Sequence, residues 1–221
     1  MRTVVFDLDG TLADTSGDLI AAANACFREM GRGDVLSPER DAPTALRGGK
    51  AMLRLGLERI AHPKLAEEVE RWYPFLLKAY GEDICTHTVF YPGALESVEA
   101  LRGAGYAVAI CTNKPERLAE ALMARMGARE MFHALVGADT LPVRKPDPRP
   151  YFEAVRRAGG DLSRSLLVGD TATDRNTARA AEVPCVLVTF GPGDDDVRAL
   201  EPEGLIGHYG ELAGEVARLI G

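Results

Sequence analysis

The feature that most restricts how this chain can fold is a regular alternation. Short apolar runs rich in β-branched residues occur at Thr3–Phe6, Ala107–Cys111, Ala134–Val136, 166–168 and 185–189, with a marginal sixth at 205–207. Between them lie stretches of about ten to fifteen residues with helical spacing. Strands joined through helices run parallel, so the pattern predicts a doubly wound parallel α/β sheet. The helices are expected at Ala94–Gly103, 115–126, 148–158 and 173–182, each marked by a Pro near its start or a Gly near its end. The alternation fails once, between Thr15 and Thr88. That stretch carries only helical patterns, such as Leu19-Ile20, Ala23-Asn24 and Phe27, or Leu65, Val69, Trp72-Tyr73 and Leu76-Leu77. A structureless connection of that length inside a compact domain is implausible. Residues 15–87 are therefore read as an all-helical insertion, a second small domain that interrupts a core made of residues 1–14 and 88–221.

Composition narrows the classes of function. With 46% apolar and 27% charged residues in 221, the chain has the proportions of a packed globular protein. No apolar run approaches the ~18 residues of a membrane span, and Met1-Arg2-Thr3 leads directly into Val4-Val5-Phe6, so neither an export signal nor a membrane partner is expected and the location is read as cytoplasmic. A net charge of −7 and a pI of 5.2 supply no field to attract nucleic acid. The longest run of like charge is Asp194-Asp195-Asp196. Cys26, Cys85, Cys111 and Cys185 are widely separated and offer no zinc-ligand or disulfide pattern, and they read as small buried hydrophobes.

In open parallel sheets, ligands bind beyond the carboxyl ends of the strands. Each strand here discharges polar residues at that edge: Asp7-Leu8-Asp9-Gly10-Thr11 after the first, Thr112-Asn113-Lys114-Pro115 after the second, Lys145-Pro146-Asp147-Pro148 after the third, and Gly169-Asp170-Thr171 after the fourth. Asp174 follows Asp170 by four residues, on the same face of the coming helix. Two carboxylates about 4 Å apart repel by roughly 4 kcal/mol at an effective dielectric of about 20. Four gathered together call for a cation, and oxygen-only ligands point to a hard one, Mg²⁺. Taken singly, the same residues have ordinary readings: Asp7 to Thr11 as a turn, Asp170 as a helix cap, Asp174 as a surface charge. It is their convergence on one edge that favours a metal site formed by Asp7, Asp9, Asp170 and Asp174.

Thr112 and Asn113 precede Pro115 and read as a helix start, which could also hold phosphate oxygens. Only five of the 26 basic residues are lysines, and two of the five, Lys114 and Lys145, fall in these loops. Lysine is a compact point charge, which fits Lys145 to the site, whereas Lys114 is expected to point to solvent. The four histidines, His62, His87, His133 and His208, show no ligand spacing, and strand alternation turns Cys111 away from Thr112 into the core.

In this order, Asp7-Leu8-Asp9-Gly10-Thr11-Leu12, Thr112-Asn113-Lys114-Pro115, Lys145-Pro146-Asp147-Pro148 and Gly169-Asp170-Thr171 with Asp174 resemble the four motifs of the haloacid dehalogenase superfamily of phosphohydrolases. Tyr91-Pro92-Gly93, the Thr-Asn-Lys-Pro form of the second motif and the helical insertion resemble its phosphoglycolate phosphatase branch. Arg47-Gly48-Gly49 in place of Gly-x-Gly, Arg175 in place of an apolar residue, and Gly191-Pro192-Gly193 depart from that branch. The resemblance implies a Rossmann-like core with an all-helical cap. It also implies a Mg²⁺-dependent phosphatase acting on a small phosphorylated metabolite, 2-phosphoglycolate or a similar phosphomonoester, as a monomer or homodimer. Asp7 would be the nucleophile that forms an aspartyl-phosphate, and Asp9 the general acid and base. Asp7, the Asp9 backbone carbonyl and Asp170 would hold the metal with support from Asp174. Thr112, Asn113 and Lys145 would bind the phosphoryl oxygens, and Arg47 or Lys50 of the cap would meet the second anionic group. The alternatives are a phosphosugar mutase or pyrophosphatase of the same superfamily and, from a different class, a phospho-accepting signalling module.

Overall fold

A computed structural model of the chain describes residues 1–191 and 196–221. The expectations placed on Pro192, Gly193, Asp194 and Asp195 lie outside the described residues. The elements run β1 (Thr3–Phe6), β2 (Ala13–Asp14), α1 (Ser16–Glu29), α2 (Pro38–Ala45), α3 (Gly49–Arg59), α4 (Leu65–Glu82), β3 (Val89–Phe90), α5 (Ala94–Gly103), β4 (Ala107–Cys111), α6 (Glu116–Arg125), β5 (Ala134–Val136), α7 (Arg149–Arg157), β6 (Ser165–Gly169), α8 (Ala172–Ala181), β7 (Cys185–Val188), β8 (Gly204–Ile206) and α9 (Leu212–Ile220). Two compact units result. One contains Met1–Ala13, Phe90–Gly191 and the C-terminal segment, and the other contains Asp14–Val89. The helical insertion read from the sequence spans 15–87.

The first unit holds a parallel six-stranded sheet in the order β5-β4-β1-β6-β7-β8. Its central strands are buried along their whole length, which is why they read as unbroken apolar runs and not as alternating ones. Val5 lies opposite Ala109 on one side and Leu167 on the other. These residues belong to a core layer completed by Tyr151 and Ala154 of α7 and Ala178 of α8. Helices α5 and α9 pack against β4 and β6 and against each other, so the sheet is covered on both faces, as the doubly wound reading expected. The chain leaves β1, builds β4 and β5 on one side, then crosses back to β6 on the other. The carboxyl ends of β4, β1 and β6 therefore sit side by side where the strand order reverses.

Element boundaries differ from the sequence reading by a residue or so. Ser165 pairs with Thr3 and Gly169 with Leu187, which lengthens the strand expected at 166–168. Helix α6 starts at Glu116 and not at 115, because Pro115 is extended, with φ −51° and ψ 134°. Arg175, the departure noted above, is buried with its guanidinium on both oxygens of Glu203 and on the carbonyls of Leu200 and Glu201. An apolar side chain could not anchor that segment in this way.

The second unit is four helices, and α1 contacts each of the other three. Its core includes Leu19, Ile20, Phe27, Leu53, Leu57 and Leu76. A Cβ at Gly56 would fall 2.1 Å from the Phe27 ring, so glycine permits the close approach of α3 to α1. Buried Asp18 accepts hydrogen bonds from the His87 and Thr88 amides and the Thr88 hydroxyl, tying α1 to the end of the insertion. Buried Asp41 receives the Ser37 amide and both terminal nitrogens of Arg59. Arg59, opposed by burial and helped by the Ser37 amide, holds the Asp41 carboxyl below its ordinary value. A carboxylate with a depressed folded pKa stabilises the fold above its unfolded pKa of ~3.9, and that contribution disappears as pH falls through the folded value. Asp41→Asn should cost about 1–2 kcal/mol at neutral pH, and the deficit should shrink below about pH 4 in urea unfolding. An equal deficit at pH 3 and pH 7 would contradict this role.

Candidate active site

Asp7 follows β1 directly, and its amide still donates to the Val168 carbonyl at 2.9 Å, so the residue stays registered to β6. Gly10, at φ +82°, lets the chain fold back so that its amide reaches the Ala13 carbonyl at 2.9 Å. The Thr11 hydroxyl then donates to Asp170 Oδ1 at 2.8 Å. The Thr11 carbonyl accepts from the buried Tyr209 hydroxyl at 2.7 Å, a brace from the far end of the chain that sequence reading missed. Asp174 is the N3 residue of α8: its Oδ2 accepts from the Thr171 amide and hydroxyl while Thr171 caps the helix. Its other oxygen faces Lys145.

Lys145 is the hub. Its ammonium lies 2.6 Å from Asp174 Oδ1 and 3.0 Å from Asp7 Oδ1, and the side chain is buried. Burial alone would lower its pKa, but Asp174 and Asp7 raise it, so the ammonium stays charged. Among the described residues, carboxylate oxygens of Asp7, Asp170 and Asp174 all lie within 4.8 Å of one another. Burial pushes the Asp7 carboxyl up to about 7, against the lowering effect of Lys145 and with further raising by Asp174 and Asp9. Burial, Asp174 and Asp7 raise Asp170 well above the ordinary carboxylate range. One ammonium does not balance three largely buried carboxylates. An oxygen-only set with an excess of negative charge is the donor set of a hard divalent cation, and Mg²⁺ fits it.

The Asp9 carboxylate is not a member of that set. It pairs with Lys114, Oδ1 to Nζ at 2.9 Å, and the Lys114 side chain is only 4% exposed. The expectation that Lys114 points to solvent is therefore corrected. The Lys114 backbone is fixed between strand exits, its amide donating to Thr112 Oγ1 and its carbonyl accepting from the Ala138 amide, and this turns the side chain inward. The scarcity of lysine was the signal for both residues. Thr112 is buried, and Asn113 Nδ2 donates to the Lys145 carbonyl at 3.0 Å, linking the two lysine-bearing loops. Thr112 caps Lys114 and not the helix; the first amide of α6, that of Glu116, is taken by Asp139 at 2.7 Å. Cys111 is buried in the core layer, and burial pushes its thiol up to about 12. In the second unit, Arg47 is exposed after α2, and Lys50 makes an ion pair with Glu70 at 2.6 Å and lies over the Tyr73 ring.

Gly169 allows the approach of Asp174, since a Cβ there would stand 2.3 Å from the Asp174 Cβ. Gly169→Ala should destabilise the protein by about 1–3 kcal/mol in urea unfolding, as overpacking does; an unchanged midpoint would show that α8 yields without cost.

Comparison with known proteins places this geometry. Residues 4–188 match the sequence model of the haloacid dehalogenase-like hydrolase family. A phosphoglycolate phosphatase of Mesorhizobium japonicum is 40% identical over 220 residues, covering 98% of this chain and 96% of that protein. Another, from Agrobacterium fabrum, is 34% identical and covers 94% and 89%. The crystal structure of a predicted phosphoglycolate phosphatase from Haemophilus somnus superposes with a TM-score of 0.81 over 97% of both chains, at 23% identity, a likeness of fold. The chain belongs to the haloacid dehalogenase-like hydrolase family and is an enzyme of that family.

Proposed function

We propose that this enzyme is a Mg²⁺-dependent phosphatase of small phosphomonoesters, with 2-phosphoglycolate as its substrate. The observation that carries the reading is the division of the site: Asp7 beside Lys145, Asp170 and Asp174, with Asp9 held separately. The choice of 2-phosphoglycolate is supported by the relatives named phosphoglycolate phosphatase.

In this mechanism an Asp7 carboxylate oxygen attacks phosphorus in line, the bond to the ester oxygen breaks, and an aspartyl-phosphate forms. Asp9 gives its proton to the departing alkoxide, then takes one from the water that attacks the phosphorus of the intermediate, releasing inorganic phosphate and restoring Asp7. Asp7, Asp170 and the Asp9 backbone carbonyl would hold Mg²⁺, with Asp174 in support. When bound, such an ion would offset the negative charge of the carboxylates and the phosphoryl oxygens and so leave the Asp7 carboxylate ionised for attack. Lys145 offsets charge on Asp7 and on a phosphoryl oxygen, while Thr112 and the Asn113 amide donate to the others. The assignment of the substrate's carboxylate to Arg47 or Lys50 rests on the sequence alone.

A phosphate-release assay over 2-phosphoglycolate, sugar phosphates, nucleotides and pyrophosphate tests the reading. Turnover should be fastest on 2-phosphoglycolate, disappear with EDTA, return with Mg²⁺, and fall at least about 100-fold in Asp170→Asn. Undiminished turnover in chelator would refute the metal site. Preference for pyrophosphate, or transfer of label into a hexose phosphate without phosphate release, would replace the substrate assignment.

A further inference from the structure

Of the two buried ammonium groups at the carboxyl edge of the sheet, only Lys145 has a part in the chemistry above. Lys114 is enclosed too: its side chain is 4% exposed and that of its partner Asp9 is 17% exposed. A buried lysine is costly unless it is paired. Its position is also tightly fixed, by the Thr112 hydroxyl on its amide and the Ala138 amide on its carbonyl. Its neighbour Asn113 binds the Lys145 carbonyl, so the two lysine-bearing loops are held in one frame. The ammonium is therefore delivered to Asp9 by a rigid support and not by a flexible surface stem.

The two lysines divide the carboxylates between them. Lys145 contacts Asp7 and Asp174, which with Asp170 form the cluster able to hold a cation, whereas Lys114 contacts Asp9, whose carboxylate stands outside that cluster. A divalent ion beside Asp7 would attract any mobile carboxylate near it. Asp9 is two residues from Asp7, and a carboxylate drawn into coordination could no longer give a proton to a leaving group.

We propose that Lys114 is the positioning residue of Asp9. It holds the Asp9 carboxylate in one place on the rigid Thr112–Lys114 support, apart from the Asp7, Asp170 and Asp174 oxygens. This rests on the role given to Asp9 above. It assigns a task to the lysine of the Thr-Asn-Lys-Pro segment that is distinct from binding phosphate.

The test is the dependence of rate on the leaving group. Lys114→Met keeps an unbranched side chain one atom shorter and removes the charge. It should lower kcat/KM for 2-phosphoglycolate, whose alkoxide needs a proton, at least about 100-fold, and for p-nitrophenyl phosphate, whose phenolate leaves without one, less than about 10-fold. Asp9→Asn should show the same split, and the double variant should be no worse than Asp9→Asn, because two residues acting through one group are not additive. Lys114→Arg, which keeps a cation and guards against misfolding of the methionine variant, should restore most of the rate on 2-phosphoglycolate. Equal loss on both esters in Lys114→Met, with the split intact in Asp9→Asn, would overturn the positioning role alone. Absence of the split in Asp9→Asn would instead refute Asp9 as the acid, and with it the reading on which this inference rests.

Discussion

Lys145 sets one buried ammonium against Asp7 and Asp174, and the rest of the site follows from the imbalance that remains. Three carboxylates and one ammonium, all at least largely buried, cannot be stable in their ionised forms without a further positive charge. The raised values of Asp7 and Asp170 express that deficit in protons. A metal ion and a proton are thus alternative ways to satisfy the same cluster, and in the proposed mechanism only the first leaves Asp7 able to attack. The fold creates this tension by bringing the exits of three adjacent strands together where the strand order reverses. It stabilises the arrangement with ordinary devices: a capping box at Asp174, the Thr11 hydroxyl on Asp170, and a glycine where a methyl group would not fit.

Much of the site was legible because strand exits are legible. Asp7, Thr112 and Asp170 each follow a fully buried strand at once, and a parallel sheet sends all such residues to one edge. Lys145 was legible by composition, as one of five lysines in an arginine-rich chain. Lys114 was misread in direction. Period-two alternation governs a strand, but beyond its last pair the side chain is aimed by loop hydrogen bonds, here those of Thr112 and Ala138, which no periodicity announces. Tyr209 and Asp139 escaped for a related reason: their partners lie 198 and 23 residues away, respectively.

The helical insertion was visible as the absence of strands, and its longest helices as apolar periodicity. Its internal fastening was not. Asp18 and Asp41 bind backbone amides through carboxylates placed by tertiary contacts, and Asn24 fastens the Val35 and Leu36 amides in the same way. Arg175 carries structure by itself: its buried guanidinium meets four oxygen partners.

The central claim is that the carboxylate cluster is completed by a divalent cation and that Asp7 is ionised only then. Carbon-detected NMR on protein labelled at the aspartate carboxyl carbons, with Asp7→Asn to assign the signal, measures this directly. Without metal, the Asp7 resonance should titrate near pH 7, matching its raised value of about 7. With saturating Mg²⁺ it should hold its ionised shift down to about pH 5 or below, since a bound cation favours the charged form. An Asp7 signal whose midpoint does not move with Mg²⁺ would contradict the account.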